Sequence, residues 1–184
     1  MGYTLALVQK LTLMKNVWHL TRVDGGTVAL GTIEQARMKL REEVKCLAPD
    51  GSLWFTIKAR SMIELGATYD IADHTGSSLG IMTKDFGASL GRSTYRIETP
   101  AGRWTVTETS KLQAIARRVV GLLDLPWLFR VQFSILSPDG TPIGHVNRAN
   151  MRIKDTYEIR VDDDALDVRV GAAIGVAVDA FMNR

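Results

Sequence analysis

The sequence predicts a mainly β protein with α (α+β), a closed antiparallel β-barrel of about twelve strands around a buried, apolar C-terminal helix. Three observations carry that expectation. Glycine returns at Gly25, Gly51, Gly76 and Gly102, at intervals of 26, 25 and 26 residues, each time between two short β-rich stretches. A fixed period in this range marks a repeated supersecondary unit. Next, Tyr69-Asp70-Ile71 through Gly76 to Leu79-Gly80 aligns, at an offset of 64, with Phe133-Ser134-Ile135 through Gly140 to Ile143-Gly144. Finally, Val170 to Val178 has no polar face. A helix that is apolar all round must be buried.

The elements follow in order. The first hairpin reads Val17–Val23, a turn at Asp24-Gly25-Gly26, then Thr27–Ile33. The second is Val44–Leu47, Pro49-Asp50-Gly51, Leu53–Lys58. The third is Thr68–Asp73, His74-Thr75-Gly76, Ser78–Thr83, and the fourth Thr94–Glu98, Pro100-Ala101-Gly102, Trp104–Glu108. A fifth runs Val131–Leu136, Pro138-Asp139-Gly140, Pro142–Asn147, and Tyr157–Val161 opens a sixth unit. Gly supplies a positive φ in such turns, and Pro or Asp sets the preceding bend. The flanking runs are rich in Val, Ile, Thr, Tyr and Trp, as strands prefer.

Two segments break the pattern. Ser110–Leu123 reads as an inserted amphipathic helix, with Ser110 as N-cap and Leu112, Ile115, Ala116, Val119, Leu122 and Leu123 on one face. The second is the C-terminal helix, expected over about 165–183, with Asp162-Asp163-Asp164 at the positive end of its dipole. Leu166, Val168 and Val170 alternate with Asp167 and Arg169, so a short strand before the helix stays open as an alternative. Closing the sheet hides every strand edge. Eight strands are already filled by side chains, so twelve leave a lumen. A thin helix about 10 Å across fills it. A propeller or sandwich, the rival architecture, leaves that helix without a home.

Bulk properties set wide bounds. The 184 residues are expected to form one domain, 1–184, with ordinary globular composition, 46% hydrophobic and 23% charged. Cys46 is the only cysteine, which forbids an internal disulfide and fits a reducing compartment. Residues 1–160 hold 21 Lys/Arg against 15 Asp/Glu, whereas 161–184 hold 2 against 5. The mildly basic body suits an anionic partner as well as a solvated mixed surface. Gln9, Lys10 and Lys15 interrupt the first apolar stretch, unlike a signal peptide, and Ala6 stands where a myristoylation site wants Ser or Thr. The expected location is cytoplasmic, peripheral to a membrane at most.

A set of stretches spread over nearly the whole chain carries a family likeness. Leu7-Val8-Gln9-Lys10-Leu11 opens it. Trp18-His19-Leu20 with Asp24-Gly25 follows, then Val44-Lys45-Cys46 with Asp50-Gly51 and Phe55-Thr56-Ile57-Lys58. Tyr69-Asp70-Ile71-Ala72-Asp73 with Gly76 and Gly80 comes next, and the apolar Ala172–Asp179, ending in Val-Asp, closes the set. Together they resemble the tubby C-terminal-like superfamily, most closely its LURP-one-related branch and more distantly the phospholipid scramblases. The resemblance implies a twelve-stranded barrel around a central helix, no enzyme activity and no cofactor. Tubby proteins bind phosphoinositides through basic side chains on the barrel exterior, and scramblases associate with membrane lipids. The Ser110–Leu123 insertion departs from the family pattern.

Candidate chemistry is sparse. Gly76-Ser77-Ser78-Leu79-Gly80 and Gly87-Ala88-Ser89-Leu90-Gly91 match G-x-S-x-G, but that motif needs a strand, a strained turn and a helix. Both sit beside strand-like runs, so a small serine esterase using Ser78 or Ser89 is only an alternative. His19, His74 and His145 show no ligand spacing. Asp70 and Asp73 lack the ligand alternation of a calcium loop, and Asp162–Asp164 read more simply as a helix cap. No metal site is expected.

The basic residues are the better candidates. Lys58 and Arg60 are two apart on a strand and share a face; if that face is outward they are the expected anionic headgroup site, with a merely solvated charged surface as the alternative. Arg148, Arg152 and Lys154 make a second cluster near a loop. Arg117-Arg118, with Trp127 and Phe129 nearby, would face a membrane if exposed. No exposed aromatics interleave with the basic residues, which argues against nucleic acid. The expected function is a non-enzymatic binding domain for anionic phospholipid headgroups at a membrane surface; a protein-interaction scaffold is the alternative.

Overall fold

The computed structural model describes residues 2–10, 15–36, 43–60, 68–85, 93–109, 132–150 and 155–182. Its strands are β1 (Tyr3–Lys10), β2 (Lys15–Arg22), β3 (Val28–Ala36), β4 (Glu43–Leu47), β5 (Leu53–Ala59) and β6 (Thr68–Asp73). They continue as β7 (Ser78–Lys84), β8 (Thr94–Thr99), β9 (Gly102–Glu108), β10 (Gln132–Leu136), β11 (Pro142–Asn150) and β12 (Asp155–Val161). Each strand pairs antiparallel with its chain neighbours, and β1 closes the ring on β12 from Tyr3↔Val161 to Val8↔Thr156. The expected closed barrel of twelve strands is therefore present, and so is its helix, α1 (Val168–Met182).

Alternation decides what faces the lumen. Along β1, Tyr3, Leu5 and Leu7 point inward and are buried, while Thr4, Ala6 and Val8 point outward. The same period places Trp18, Phe55, Ile71, Ile97, Phe133 and Ile159 inside.

Three hairpins share one turn, which explains the repeat. Gly51, Gly76 and Gly140 donate their N–H to Ala48, Asp73 and Ser137 at 2.9, 3.0 and 2.9 Å, and have φ near +84° to +89°. Each is a type I turn followed by a left-handed glycine and a bulge. The register slips accordingly between Cys46 and Leu47, Ile71 and Ala72, and Ile135 and Leu136. Gly80 and Gly144, which close the two matched units, pair with Ile71 and Ile135 at those bulges. A Cβ there would sit 2.8 Å from the Glu98 carbonyl oxygen and 2.2 Å from that of Arg160. Glycine is required by the close approach of the next strand.

The helix occupies the lumen and is buried from Val170 through Asp179. Its small residues let the wall come close: a Cβ on Gly171 would lie 2.4 Å from the Tyr3 hydroxyl, and one on Gly175 2.8 Å from Ile159 Cδ1. The cap differs from expectation. Asp167 Oδ1 accepts from the Arg169 N–H at 2.8 Å, as an N-cap side chain does, and the helix begins at Val168. Asp162–Asp164 lie upstream of that cap, Asp162 paired to Arg160 at 2.9 Å and Asp163 accepting from the Ala165 N–H. The alternative strand over 166–170 does not form.

Near its far end the helix is clamped. Asp179 is 1% exposed; Trp18 Nε1–H donates to its Oδ2 at 3.0 Å and the Tyr157 hydroxyl to its Oδ1 at 2.5 Å. The carboxylate thus ties the helix to β2 and β12. Because strand direction alternates, connections alternate between two rims. The near rim carries the short hairpin turns and the link into α1. The expected 110–123 helix, between β9 and β10 in the chain, lies outside the described residues.

Candidate functional site

The barrel's outer face over β4–β7 carries an open groove of about 600 Å³. Its shape follows from two rows of outward residues. Thr56, Ala72 and Ser78 align across β5, β6 and β7 and are small, so the surface dips. The adjacent row is Glu43, Lys58 and Asp70, in register across β4, β5 and β6, and its long charged side chains form a wall. Lys45 stands beside Thr56, and the Asp73–Gly76 turn closes the near-rim end.

Both expected headgroup residues line this groove. Lys58 Nζ is 3.5 Å from Glu43 Oε1. Arg60 follows the end of β5, and its N–H continues the ladder to the Thr68 carbonyl at 2.8 Å. Its guanidinium grips Asp70, with Nε 2.8 and 2.7 Å from the two carboxylate oxygens. Lys45 is exposed and has no ion-pair partner among the described residues. Asp73 is occupied by its own turn: Oδ1 accepts from the Thr75 hydroxyl at 2.6 Å and from the N–H groups of Thr75 and Ser77. The Thr75 hydroxyl, before the backbone donors, holds this carboxyl below the usual carboxylate range.

The second expected cluster does not join the first. Arg148 lies in register with Tyr157 on the inward face of β11, six strands round the ring from β5. Its guanidinium sits 5.9 Å from the centroid of the Tyr157 ring. Val146, two residues earlier, is buried in the lumen, and strand parity turns Arg148 the same way. Arg152 and Lys154 lie outside the described residues, as do Ser89, Arg117, Arg118, Trp127 and Phe129.

Other candidates fall apart on inspection. Ser78 begins β7 and lines the groove, but a strand follows it, and no hydrogen bond joins it to a histidine among the described residues. His19 and His74 are exposed, and His145 Nε2 lies 3.6 Å from Glu158 Oε1 on the outer wall. Among the described residues no group of three His, Cys, Asp or Glu could hold a metal ion. Cys46 is buried in the lumen, and burial pushes its thiol up to about 12. No helix among the described residues is long and apolar enough to cross a membrane.

Sequence reasoning missed three groove residues. Lys45 was legible as the outward member between inward Val44 and Cys46. Glu43 and Asp70 carried no such signal, because their meeting with Lys58 and Arg60 depends on the cross-strand register. No family model matches this chain, and no curated protein matches it.

Proposed function

We propose that this barrel is a non-enzymatic binding domain that takes the anionic headgroup of a phospholipid in the β4–β7 groove, acting at a membrane surface. The observation that carries the reading is the convergence of Lys45, Lys58 and Arg60 on one open groove with a small-residue floor. A guanidinium offers paired N–H donors to phosphate oxygens, and a lysine adds a point charge. Exposed cations near an anionic bilayer contribute about 1 kcal/mol each.

The closed ring supports the same reading. A barrel without a free strand edge offers no backbone ladder to a peptide, so recognition falls to side chains on its outer wall. Of those described, the groove cations form the group best placed to meet a phosphate.

Co-sedimentation of the full chain with vesicles, with and without anionic lipid, tests the proposal. The wild type should pellet with anionic vesicles, and Lys58→Glu with Arg60→Glu should weaken that by about tenfold or more. Equal pelleting of wild type and double variant would remove the groove from consideration.

A further inference from the structure

We propose that the groove selects an anionic headgroup that carries its own ammonium, of the O-phosphoserine type, over one of equal charge that carries none. The inference rests on the reading above and adds the ligand's charge pattern. It comes from the groove's own ion pairs. Lys58 is held by Glu43 and Arg60 by Asp70, while Asp73 is satisfied by its turn. Lys45 is the cation left over among the described residues. The groove thus offers three cations and two exchangeable carboxylates.

Binding a ligand without an ammonium has a hidden cost. Its phosphate draws Lys58 and Arg60 away from Glu43 and Asp70, leaving two carboxylates beside a new anion. Like charges at that range repel, in a groove partly shielded from water. A phosphoserine headgroup halves this cost. Its phosphate takes Arg60 and Lys58, its ammonium takes Asp70 or Glu43, and its carboxylate takes Lys45. Two anionic groups and one ammonium sum to one negative charge, which matches the one unpaired cation. One freed carboxylate regains a cation, where a headgroup without an ammonium leaves both Glu43 and Asp70 unpaired. Asp70 is then the specificity-determining residue. It is 38% exposed, so the exchange needs no opening of the core.

The test compares phosphatidylcholine vesicles doped equally with phosphatidylserine or phosphatidylglycerol, two lipids of the same net charge. Surface potential is then constant; the headgroups differ in the ammonium and carboxylate of serine, and the Asp70 variant isolates the ammonium's share. The full chain should bind the phosphatidylserine vesicles roughly fivefold more tightly, the scale of one well-formed exposed ion pair. Asp70→Asn should abolish that ratio while phosphatidylglycerol binding holds or rises, and Glu43→Gln should reduce it in part. Both substitutions conserve shape on exposed or half-exposed positions, so folding should persist.

Equal binding of the two lipids by wild type overturns the inference and leaves the headgroup reading standing. A ratio that survives both Asp70→Asn and Glu43→Gln overturns it as well. Binding of neither lipid, or binding indifferent to Lys58→Glu with Arg60→Glu, overturns both readings. Free O-phosphoserine, followed by calorimetric titration, separates the two sources of this chemistry. Heat from the soluble compound that Asp70→Asn removes assigns the site to a free phosphoamino acid as well as a lipid. Selective vesicle binding without that heat assigns it to the lipid alone.

Discussion

Two aspartates face opposite sides of the same wall, and their surroundings give them different work. Asp179 is 1% exposed in the lumen and takes hydrogen bonds from Trp18 and Tyr157. Asp70 is 38% exposed on the outer face and grips Arg60. Inside, no water waits to replace a lost partner, so the bonds are structural. Outside, water and ligands compete for each partner, and the ion pair is worth little to folding. The inner wall stores stability in polar contacts; the outer wall holds exchangeable ones.

The largest expected effect lies on the inner wall. Asp179→Ala removes the buried carboxylate to which the Trp18 indole and the Tyr157 phenol both donate. Each unsatisfied buried donor costs about 1–3 kcal/mol, so the variant should lose about 3 kcal/mol or more in urea denaturation. Asp70→Ala should change stability by less than about 0.5–1 kcal/mol in the same measurement. Comparable losses in the two variants would erase the contrast between the walls. Replacing all three partners by apolar groups (Asp179→Leu, Trp18→Phe, Tyr157→Phe) should recover much of the loss, because no donor is then stranded.

A smaller effect tests how closely the helix fills the barrel. A Cβ at Gly171 would lie 2.4 Å from the Tyr3 hydroxyl, which donates to the Asp167 carbonyl at 3.2 Å. The ring cannot retreat without breaking that bond at the helix start. Gly171→Ala should therefore cost about 1–3 kcal/mol, the usual range for overpacking, even though alanine favours helix. A more stable Gly171→Ala protein would mean that the wall yields there and that the fit is loose.

The inner wall was the legible one. Hairpin turns announce themselves through Gly51, Gly76 and Gly140, whose positive φ few other residues tolerate. The apolar run over 170–178 has one physical outcome, burial, and a ring of strands is what can bury it. The outer wall was legible only in part. Lys58 and Arg60 could be set on one face by parity, but Glu43 and Asp70 reach them through register, which the bulge at Cys46/Leu47 helps to set. A slip of one residue sends each side chain to the other face. Arg148 shows the converse. Its charge suggested an exterior site, yet parity with buried Val146 turns it inward, with its guanidinium over the Tyr157 ring. Charge pointed outward, and the position two residues earlier decided. Asp167 replaced Asp162–Asp164 as cap for a local reason, since its carboxylate accepts from the Arg169 N–H at the first turn of the helix.

The smallest expected effect lies at the near rim, between the two walls. Asp50, Asp73 and Asp139 occupy the three shared turns, and each accepts hydrogen bonds from a Ser or Thr hydroxyl and from backbone N–H groups. Those donors favour the charged form, and all three carboxyls are held below the ordinary aspartate value. For Asp139 the Ser137 hydroxyl leads, followed by the Thr141 N–H. A carboxyl depressed in the native state binds fewer protons there than in the unfolded chain. Its contribution is complete above the unfolded value, about 3.9, and disappears as pH falls through the lower native value. Denaturation midpoints should therefore decline as acid is added below about pH 4, and Asp139→Asn should flatten part of that decline while lowering the neutral-pH midpoint slightly. An acid decline in Asp139→Asn as steep as in the wild type would mean that this turn carboxylate does not bear on the fold, and the structural carboxylates would then be confined to the lumen.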